Sequence, residues 1–454
     1  MNRNGTVSAL LLAVLTASAC DDSVLDIDPV DEISNEIAIV DEASARAALM
    51  GAYSQLYGDD EFYYAAEFVF WTETLTDNVV HTGTFEEFAD GDLLRMTADN
   101  GALAGMWEDM YAAVQSVNLL IQQVPAIADL APATVDEIVG QAYALRALHY
   151  FNLVRGWGGV PLVLEPLTLE AAGNVTRADV GAVYGQIEAD LAQAEGMVDN
   201  AGIDNSERIF VTPGFIDALQ AKVALYQEDF ATAEAEAREV MDSGDYELAS
   251  DYADLFTPEG TPTAEDIFRV FFTTTESNFL GFYYTFEGRF EIGASEEIRA
   301  AYEAGDERFD VNFDEERSDG IEVTKYPTAN GAEDPHVIRY AEVLLILAEA
   351  LAEQNGPGDL AEAAGYVNDV RARSGATAFA FVPGVTTQQA VLDVIYEERR
   401  LELAFEGDRW FDLVRTGRAA ATLGEFFDPH EVLWPIPQSE LDVAGGLQQN
   451  PGYL

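Results

Sequence analysis

Residues 141–162 read QAYALRALHYFNLVRGWGGVPL, and they show a pattern that recurs along the chain. The first part of the stretch is rich in apolar residues and has no helix-breaking residue. Gly156, Gly158 and Gly159 then follow, and clustered glycines are typical of the end of a helix. The stretch therefore predicts a long helix over 134–155 that ends in a glycine-rich turn.

Helical patterns also flank this stretch on both sides. In 103–124, apolar residues recur at the three- and four-residue spacing of one helix face. Further patterns of this kind cover 179–197, 213–227, 229–243, 338–354, 359–373 and 387–406. Several are joined by short turns, and small residues such as Ala218, Ala221 and Ala224 permit close helix contact. We therefore expect a mainly α fold that contains tetratricopeptide-like helix pairs.

Two regions interrupt the helical pattern. Residues 60–95 are aromatic and acidic, and residues 250–335 combine glycine, proline, threonine and many aromatic residues with little helical period. We interpret the second region as a loop-rich insertion between helical blocks. Because long ordered loops on a rigid scaffold often carry binding sites, we expect the ligand site in these regions.

The chain of 454 residues is strongly acidic, with 23 Lys plus Arg against 82 Asp plus Glu and a formal net charge of −59. Such a surface repels the phosphates of a nucleic acid, which is therefore not an expected partner. It also repels itself at low ionic strength, whereas about 1 M salt shortens the Debye length to roughly 3 Å. We expect a halophilic protein from a salty habitat; the alternative is a mildly acidic secreted protein.

The N-terminus has the pattern of a secretory signal peptide. Arg3 precedes the apolar run 7–15, and small residues continue to Ala19. The run is too short to span a membrane, and no later segment is apolar enough to do so. We therefore predict a signal peptide over 1–19.

Cys20, the single cysteine of the chain, follows this cleavage position directly. The arrangement resembles the lipobox of bacterial lipoproteins, in which this thiol is lipidated, although Ala17 stands where leucine is usual. Plain secretion with an unmodified cysteine is the alternative. We predict lipidation of Cys20, a tether over 20–38 and one domain over 39–454.

Six stretches in chain order resemble the SusD/RagB family of bacterial surface lipoproteins. They are 107–118, 141–162, 218–226 with 244–248, 339–350, 397–415 and 434–453. The resemblance extends nearly from end to end. It implies a SusD-like helical scaffold and a non-catalytic, lipid-anchored protein of the cell outer membrane. It also implies that the protein captures oligosaccharides and delivers them to a SusC-like TonB-dependent transporter.

Charged and tryptophan residues within these stretches have a simpler interpretation than catalysis. Glu398, Arg399 and Glu402 lie at spacings at which opposite charges pair along a helix. We therefore predict structural pairing for the charges of 397–415. Core burial is expected for Trp107, Trp157 and Trp410.

A glycan site requires flat apolar rings for sugar faces and a few placed polar groups for hydroxyls. Trp71, Asp77 and Asn78 supply these groups in 60–95, and Tyr283 and Tyr284 supply rings in the insertion. We predict these five residues as ligand contacts; the alternative is that the rings pack beneath the loops. The insertion also offers Phe279, Phe282, Arg289 and Phe290.

The sequence lacks the motifs of several other kinds of chemistry. The four histidines are scattered without the spacing of a zinc hydrolase, and no phosphate-binding loop or serine nucleophile motif is present. We therefore expect no cofactor, no metal and no enzymatic activity. Two alternatives stay open: an α-helical glycoside hydrolase, and a tetratricopeptide-type scaffold that binds only protein. Among 82 acidic residues, some pairs of carboxylates lie by chance at the separation found in glycosidase active sites. Composition therefore does not decide whether the protein is a glycoside hydrolase.

Overall fold

The computed structural model describes residues 39–58, 62–199, 205–258, 260–314, 320–424 and 427–453. The predicted signal peptide, Cys20 and the tether lie outside the described residues.

The chain forms helices with short strands between them. The helices before the insertion are α1 Glu42–Ser54, α2 Glu67–Thr74, α3 Glu86–Asp92, α4 Gly101–Gln123, α5 Pro132–Trp157, α6 Leu169–Ala172, α7 Val180–Glu195, α8 Pro213–Tyr226 and α9 Phe230–Ser243. The remaining helices are α10 Leu280–Tyr284, α11 Glu296–Ala301, α12 Arg308–Asn312, α13 Tyr340–Gln354, α14 Asp359–Arg373, α15 Gln388–Glu402, α16 Arg409–Arg415, α17 Ala419–Leu423 and α18 Gln438–Val443. The strands are β1 Val79–His81, β2 Asp266–Arg269, β3 Ile292–Ala294, β4 Phe313–Asp314, β5 Glu322–Val323 and β6 His336–Arg339. The predicted mainly α fold is confirmed.

Helix α5 contains most of the stretch 141–162. It begins at Pro132, where the missing N–H costs no hydrogen bond, and it ends at Gly158 with φ 72°. A left-handed φ is strained for residues with a Cβ, so glycine suits this position. The helix packs against α4 on one side and α7 on the other.

Pairs of adjacent helices form what we call the helical array, made of α4, α5, α7–α9 and α13–α15. Helix α8 packs on α9, and α13 packs on α9, α14 and α15. Ala218 and Ala221 of α8 and Ala233 and Ala237 of α9 are fully buried, so the pair packs through small side chains. Within the described ranges, no helix has the length and apolar character needed to cross a bilayer.

The two regions that interrupt the helical pattern form one structural unit. Strand β1 pairs antiparallel with β3, and Val79 lies opposite Ala294. The other strand pairs are β2 with β6 and β4 with β5, both antiparallel. We call residues 62–95 and 250–335 together the irregular region. Because β1 belongs to one segment and β3 to the other, their pairing joins two segments about 200 residues apart in sequence.

The described residues form two apolar cores, of which the larger includes the helical array and part of the irregular region. In the first, Trp157 lies between Trp107 and Trp434, with ring centroids 5.3 and 4.9 Å away. The predicted burial of Trp107, Trp157 and Trp410 is confirmed. The second core lies mainly in the irregular region and is rich in aromatic residues, including Phe70 and Tyr284, whose centroids are 4.5 Å apart.

A network of buried charges joins the irregular region to α15. Glu402 of α15 accepts hydrogen bonds from Arg308, Arg339 and Arg373, and Arg339 also binds Glu406 at 2.9 Å. Arg308 additionally donates to Glu398 at 2.7 Å. The pairing predicted among neighbours on one helix is therefore wrong for these glutamates. Their partners come from distant segments because both ends of each pair are buried and each needs a compensating charge.

Candidate functional site

Partly exposed aromatic rings cluster at the outer edge of the irregular region. They come from the loop between β1 and α3, from α10 and from the segment between α10 and β3. We call this cluster the aromatic platform and define it by Phe85, Phe282, Phe286, Arg289 and Phe290. The four rings are neither fully buried nor fully exposed, and the Arg289 side chain is 41% exposed.

Tyr283 forms the floor of the platform. Its ring centroid lies 5.4 Å from Phe282 and 6.0 Å from Phe85, and it also contacts Phe88 at 5.7 Å. These pairs meet edge to face, a favourable geometry for aromatic rings. Since Tyr283 is only 7% exposed, it supports the outer rings rather than presenting its own face.

A tight turn after α10 places the two outermost rings side by side. The Arg289 N–H donates to the carbonyl oxygen of Phe282 at 2.6 Å. A Cβ on Gly288 would lie 2.0 Å from the same oxygen, so a side chain at this position would clash with the backbone. Phe290 adopts φ 50°, and its ring centroid lies 4.1 Å from that of Phe286.

Glu291 fastens the loop that carries Phe85. Its buried carboxylate accepts the backbone N–H of Thr84 at 2.5 Å and that of Phe85 at 2.9 Å. It also accepts a hydrogen bond from Arg289 Nε at 2.9 Å. Burial opposes ionisation, but these donors outweigh it and hold the pKa of Glu291 below its ordinary value. An ionised Glu291 therefore ties both segments of the platform together.

Arg289 completes the platform with a planar cation. Its guanidinium lies 4.0 Å from the centroid of the Phe85 ring, and Nη2 donates to Thr84 Oγ1 at 2.9 Å. Among the described residues, Nη1 has no hydrogen-bond partner. The platform thus offers ring faces, an N–H donor and the exposed hydroxyl-bearing residues Thr82 and Thr84.

This combination suits a sugar. The CH faces of a pyranose ring pack on aromatic faces, and its hydroxyls accept and donate hydrogen bonds. The cluster shows no metal character: across the described ranges, no group of three or more His, Cys, Asp or Glu side chains lies close enough to hold a metal ion.

The residues predicted as ligand contacts lie beneath the platform or beside it. Trp71, Tyr284 and Asn78 are fully buried, and Tyr283 is the floor described above. These positions agree with the alternative that the rings pack beneath the loops. As direct contacts, Trp71, Asp77, Asn78, Tyr283 and Tyr284 remain a prediction.

Asp77 and Asn78 bind charged groups of the helical part. Asp77 pairs with Arg409 at 2.9 Å and with Arg400 at 2.7 Å. Burial opposes ionisation, but these two guanidinium groups lower the pKa of Asp77. Asn78 donates to Glu73 at 3.2 Å and accepts from Arg400 at 3.0 Å, and burial raises the pKa of Glu73 to about 7.

Sequence reasoning missed Phe85, Phe286 and Glu291. A usable signal was present in FEGRF, residues 286–290, where two phenylalanines flank a glycine. Glycine between aromatic residues marks a turn that brings both rings to one side. Phe85 and Glu291 carried no comparable signal, because their contact depends on the pairing of β1 with β3.

A second concave surface lies in the helical array. It is a cavity of about 390 Å³ between α7, α8 and α9. Its lining is largely polar and includes Gln220, Gln227, Asp229 and Thr232.

Comparison with known proteins identifies the family. The sequence matches the model of the SusD family over residues 318–432. It matches a second model, described as starch-binding associating with outer membrane, over residues 25–208. The chain belongs to the SusD/RagB family. The resemblance inferred from the six stretches is thereby confirmed.

SusD-like proteins of Formosa agariphila are similar along their whole length. SusD-like protein P38 is 25% identical, with 99% of each chain covered. SusD-like protein P2 is 26% identical, with 98% of each chain covered.

Solved structures of SusD-like proteins share the fold. A laminarin-binding SusD-like protein is 27% identical with a TM-score of 0.79, covering 91% of this chain and 100% of the other. Surface glycan-binding protein A from Bacteroides thetaiotaomicron, solved in complex with laminarihexaose, is 21% identical with a TM-score of 0.76. That comparison covers 90% of this chain and 99% of the other, and at this identity it supports the fold alone.

Proposed function

We propose that this protein is a non-catalytic, glycan-binding lipoprotein of the outer membrane that captures oligosaccharides on the aromatic platform. The observation that carries the proposal is the cluster of four partly exposed rings, two of which pack on Tyr283, with hydrogen-bonding groups at its edge. The laminarin-binding SusD-like relative supports the same ligand class. Trp71, Asp77, Asn78 and Tyr284 then act mainly by holding the platform in place.

Capture proceeds by stacking and hydrogen bonding, without breaking a covalent bond. Each contact is modest, so we expect dissociation constants in the micromolar to millimolar range, about −8 to −4 kcal/mol. Weak binding suits a protein that passes its cargo on. We propose a SusC-like TonB-dependent transporter as the recipient, and co-purification of the two proteins from detergent-solubilised membranes tests this partnership.

Attachment to the membrane is proposed to use Cys20. Stable anchoring requires more than one acyl chain, and bacterial lipoproteins carry several. The Cys20→Ala variant should leave the membrane fraction, and continued membrane association would contradict the lipid anchor.

Replacing one ring tests the site. The Phe286→Ala variant should bind glycan about tenfold more weakly, because loss of one well-placed aromatic contact is worth about 1.4 kcal/mol. Phe381→Ala removes a partly exposed phenylalanine of the loop between α14 and α15 and serves as the matched control. Isothermal titration calorimetry against a panel of polysaccharides measures both. Equal losses in the two variants would contradict a site on the platform.

Two other functions are separated by simple assays. New reducing ends after incubation with polysaccharides would indicate a glycoside hydrolase and overturn the non-catalytic proposal. The polar cavity between α7, α8 and α9 supports the second alternative, a protein-binding scaffold. A parent protein that binds no polysaccharide of the panel would favour this scaffold over the glycan-binding proposal.

A further inference from the structure

The platform is acidic despite its arginine. Segments 82–90 and 279–291 contain one basic residue, Arg289. The same segments contain five acidic residues, namely Glu86, Glu87, Asp90, Glu287 and Glu291. A ligand on the platform therefore meets an excess of negative charge.

The paired N–H donors of Arg289 are already engaged within the protein. Proteins recognise carboxylate and sulfate groups through paired N–H donors on one edge of a guanidinium. In Arg289, Nε donates to Glu291 at 2.9 Å, and Nη2 lies 2.9 Å from the same carboxylate oxygen. Its bidentate edge is thus occupied, and its charge is compensated by a carboxylate whose side chain is 2% exposed.

Few basic residues elsewhere in the molecule can replace Arg289 as a group that binds anions. At least nine of the 23 basic residues are buried, including both lysines, Lys222 and Lys325. Most of these buried cations pair with carboxylates in the interior, as Arg308 and Arg339 do. The net charge of −59 is therefore expressed mainly at the surface.

We infer that the platform selects uncharged glycans and excludes uronate-containing and sulfated ones. This inference rests on the proposed function and specifies its substrate class. The hydroxyls of an uncharged sugar need only hydrogen-bonding groups, which Arg289 Nη1 and the loop 82–84 provide. A polyanion would meet Coulomb repulsion without finding a free guanidinium fork.

The experiment compares two forms of one polysaccharide. The uncharged polysaccharide that binds best in the panel, with laminarin included, is titrated beside its carboxymethylated derivative, which has the same backbone. At about 0.1 M salt we expect the carboxymethylated form to bind at least about tenfold more weakly. At about 1 M salt, where the Debye length is roughly 3 Å, the difference should shrink to about twofold. Circular dichroism verifies the fold at both salt concentrations.

Two charge-reversal variants test whether the weaker binding of the charged polysaccharide arises at the platform. Glu287 is exposed between Phe286 and Gly288, and Glu239 is exposed on α9 in the helical array. Both Glu287→Lys and Glu239→Lys change the net charge equally. At low salt, we expect Glu287→Lys to raise the affinity for the carboxymethylated polysaccharide about threefold relative to the affinity for the uncharged one. We expect Glu239→Lys to raise this ratio less.

Each outcome decides the inference. Equal or tighter binding of the carboxymethylated form at low salt would overturn it. Equal effects of the two reversals would also overturn it, because the exclusion would then come from the whole surface rather than the platform. Binding of neither form, nor of any other polysaccharide in the panel, would overturn the proposed function itself and the inference with it.

Discussion

The helical array and the irregular region bury different kinds of side chain. In the array, α8 and α9 meet through alanines, and α13 buries a nearly continuous run of aliphatic residues, beside separate buried ion pairs such as Arg146–Asp190. In the irregular region and where it meets α15, the interior contains aromatic rings and a network of arginines and glutamates. Aliphatic packing tolerates small adjustments, whereas a buried charge without its partner is strongly unfavourable. The ligand-binding part is therefore the more sensitive of the two to single substitutions.

Removing Arg339 is the most severe test of this comparison. Its guanidinium binds Glu265, Glu402 and Glu406, all buried. Arg339→Met removes the one cation that all three carboxylates share, and the cations that remain compensate them incompletely, so we expect the free energy of unfolding to fall by about 3–5 kcal/mol. Denaturant titration measures the change, with Arg238→Met on α9 as control.

Arg238 pairs with Glu234 and Glu362 at the surface, where its side chain is 35% exposed. Its replacement should cost less than about 1 kcal/mol because water screens the pair. Similar losses of unfolding free energy in the two variants would show that the buried network contributes no more to stability than a surface ion pair.

Acid should weaken the charge network between the irregular region and α15 next most strongly. Burial opposes ionisation of Glu406, but Arg339 and Lys325 outweigh it and lower its pKa to about 2. A pKa lowered by folding contributes stability above the unfolded value, and that stability is lost as the pH falls through the folded value. We expect a loss of about 3 kcal/mol between roughly pH 4.5 and pH 2 from this group.

Unfolding free energies at constant high salt across this pH range test the expectation. Glu406→Gln serves as the matched variant, since it cannot titrate. A dependence on pH as steep in Glu406→Gln as in the parent protein would assign the acid sensitivity to other carboxylates.

The smallest effect is expected at a helix end in the array. Asp229 caps α9 by accepting the Thr232 N–H at 3.2 Å and its hydroxyl at 2.7 Å. Asp229→Ala should cost about 1 kcal/mol, the usual cost of losing an N-cap. Glu239→Ala, on an exposed face of the same helix, should change stability by less than about 0.5 kcal/mol. A cost for Asp229→Ala above that for Arg339→Met would reverse the proposed ranking of the two regions.

The sequence was informative where contacts are local. Helix α5 was predicted over 134–155 and spans Pro132–Trp157, because its apolar content and glycine terminator lie within one stretch. The partners of Glu402 could not be derived in this way, since Arg308 and Arg339 are more than 60 residues away in sequence. The aromatic platform could be predicted from the sequence only in part. Its two segments were both predicted as ligand-bearing, but which rings face outward depends on the pairing of β1 with β3.

The turn between Tyr284 and Glu291 has a consequence for how new specificities arise. The turn is held largely through its backbone, which is hydrogen-bonded at Phe286 and Phe290 and packed closely at Gly288. The side chains of Phe286, Glu287 and Phe290 are partly or fully exposed. Substitutions at these three tips can accumulate at little cost to folding. Proteins with the same fold can thus change their ligand specificity by substitutions at the tip of this turn, while the scaffold stays unchanged.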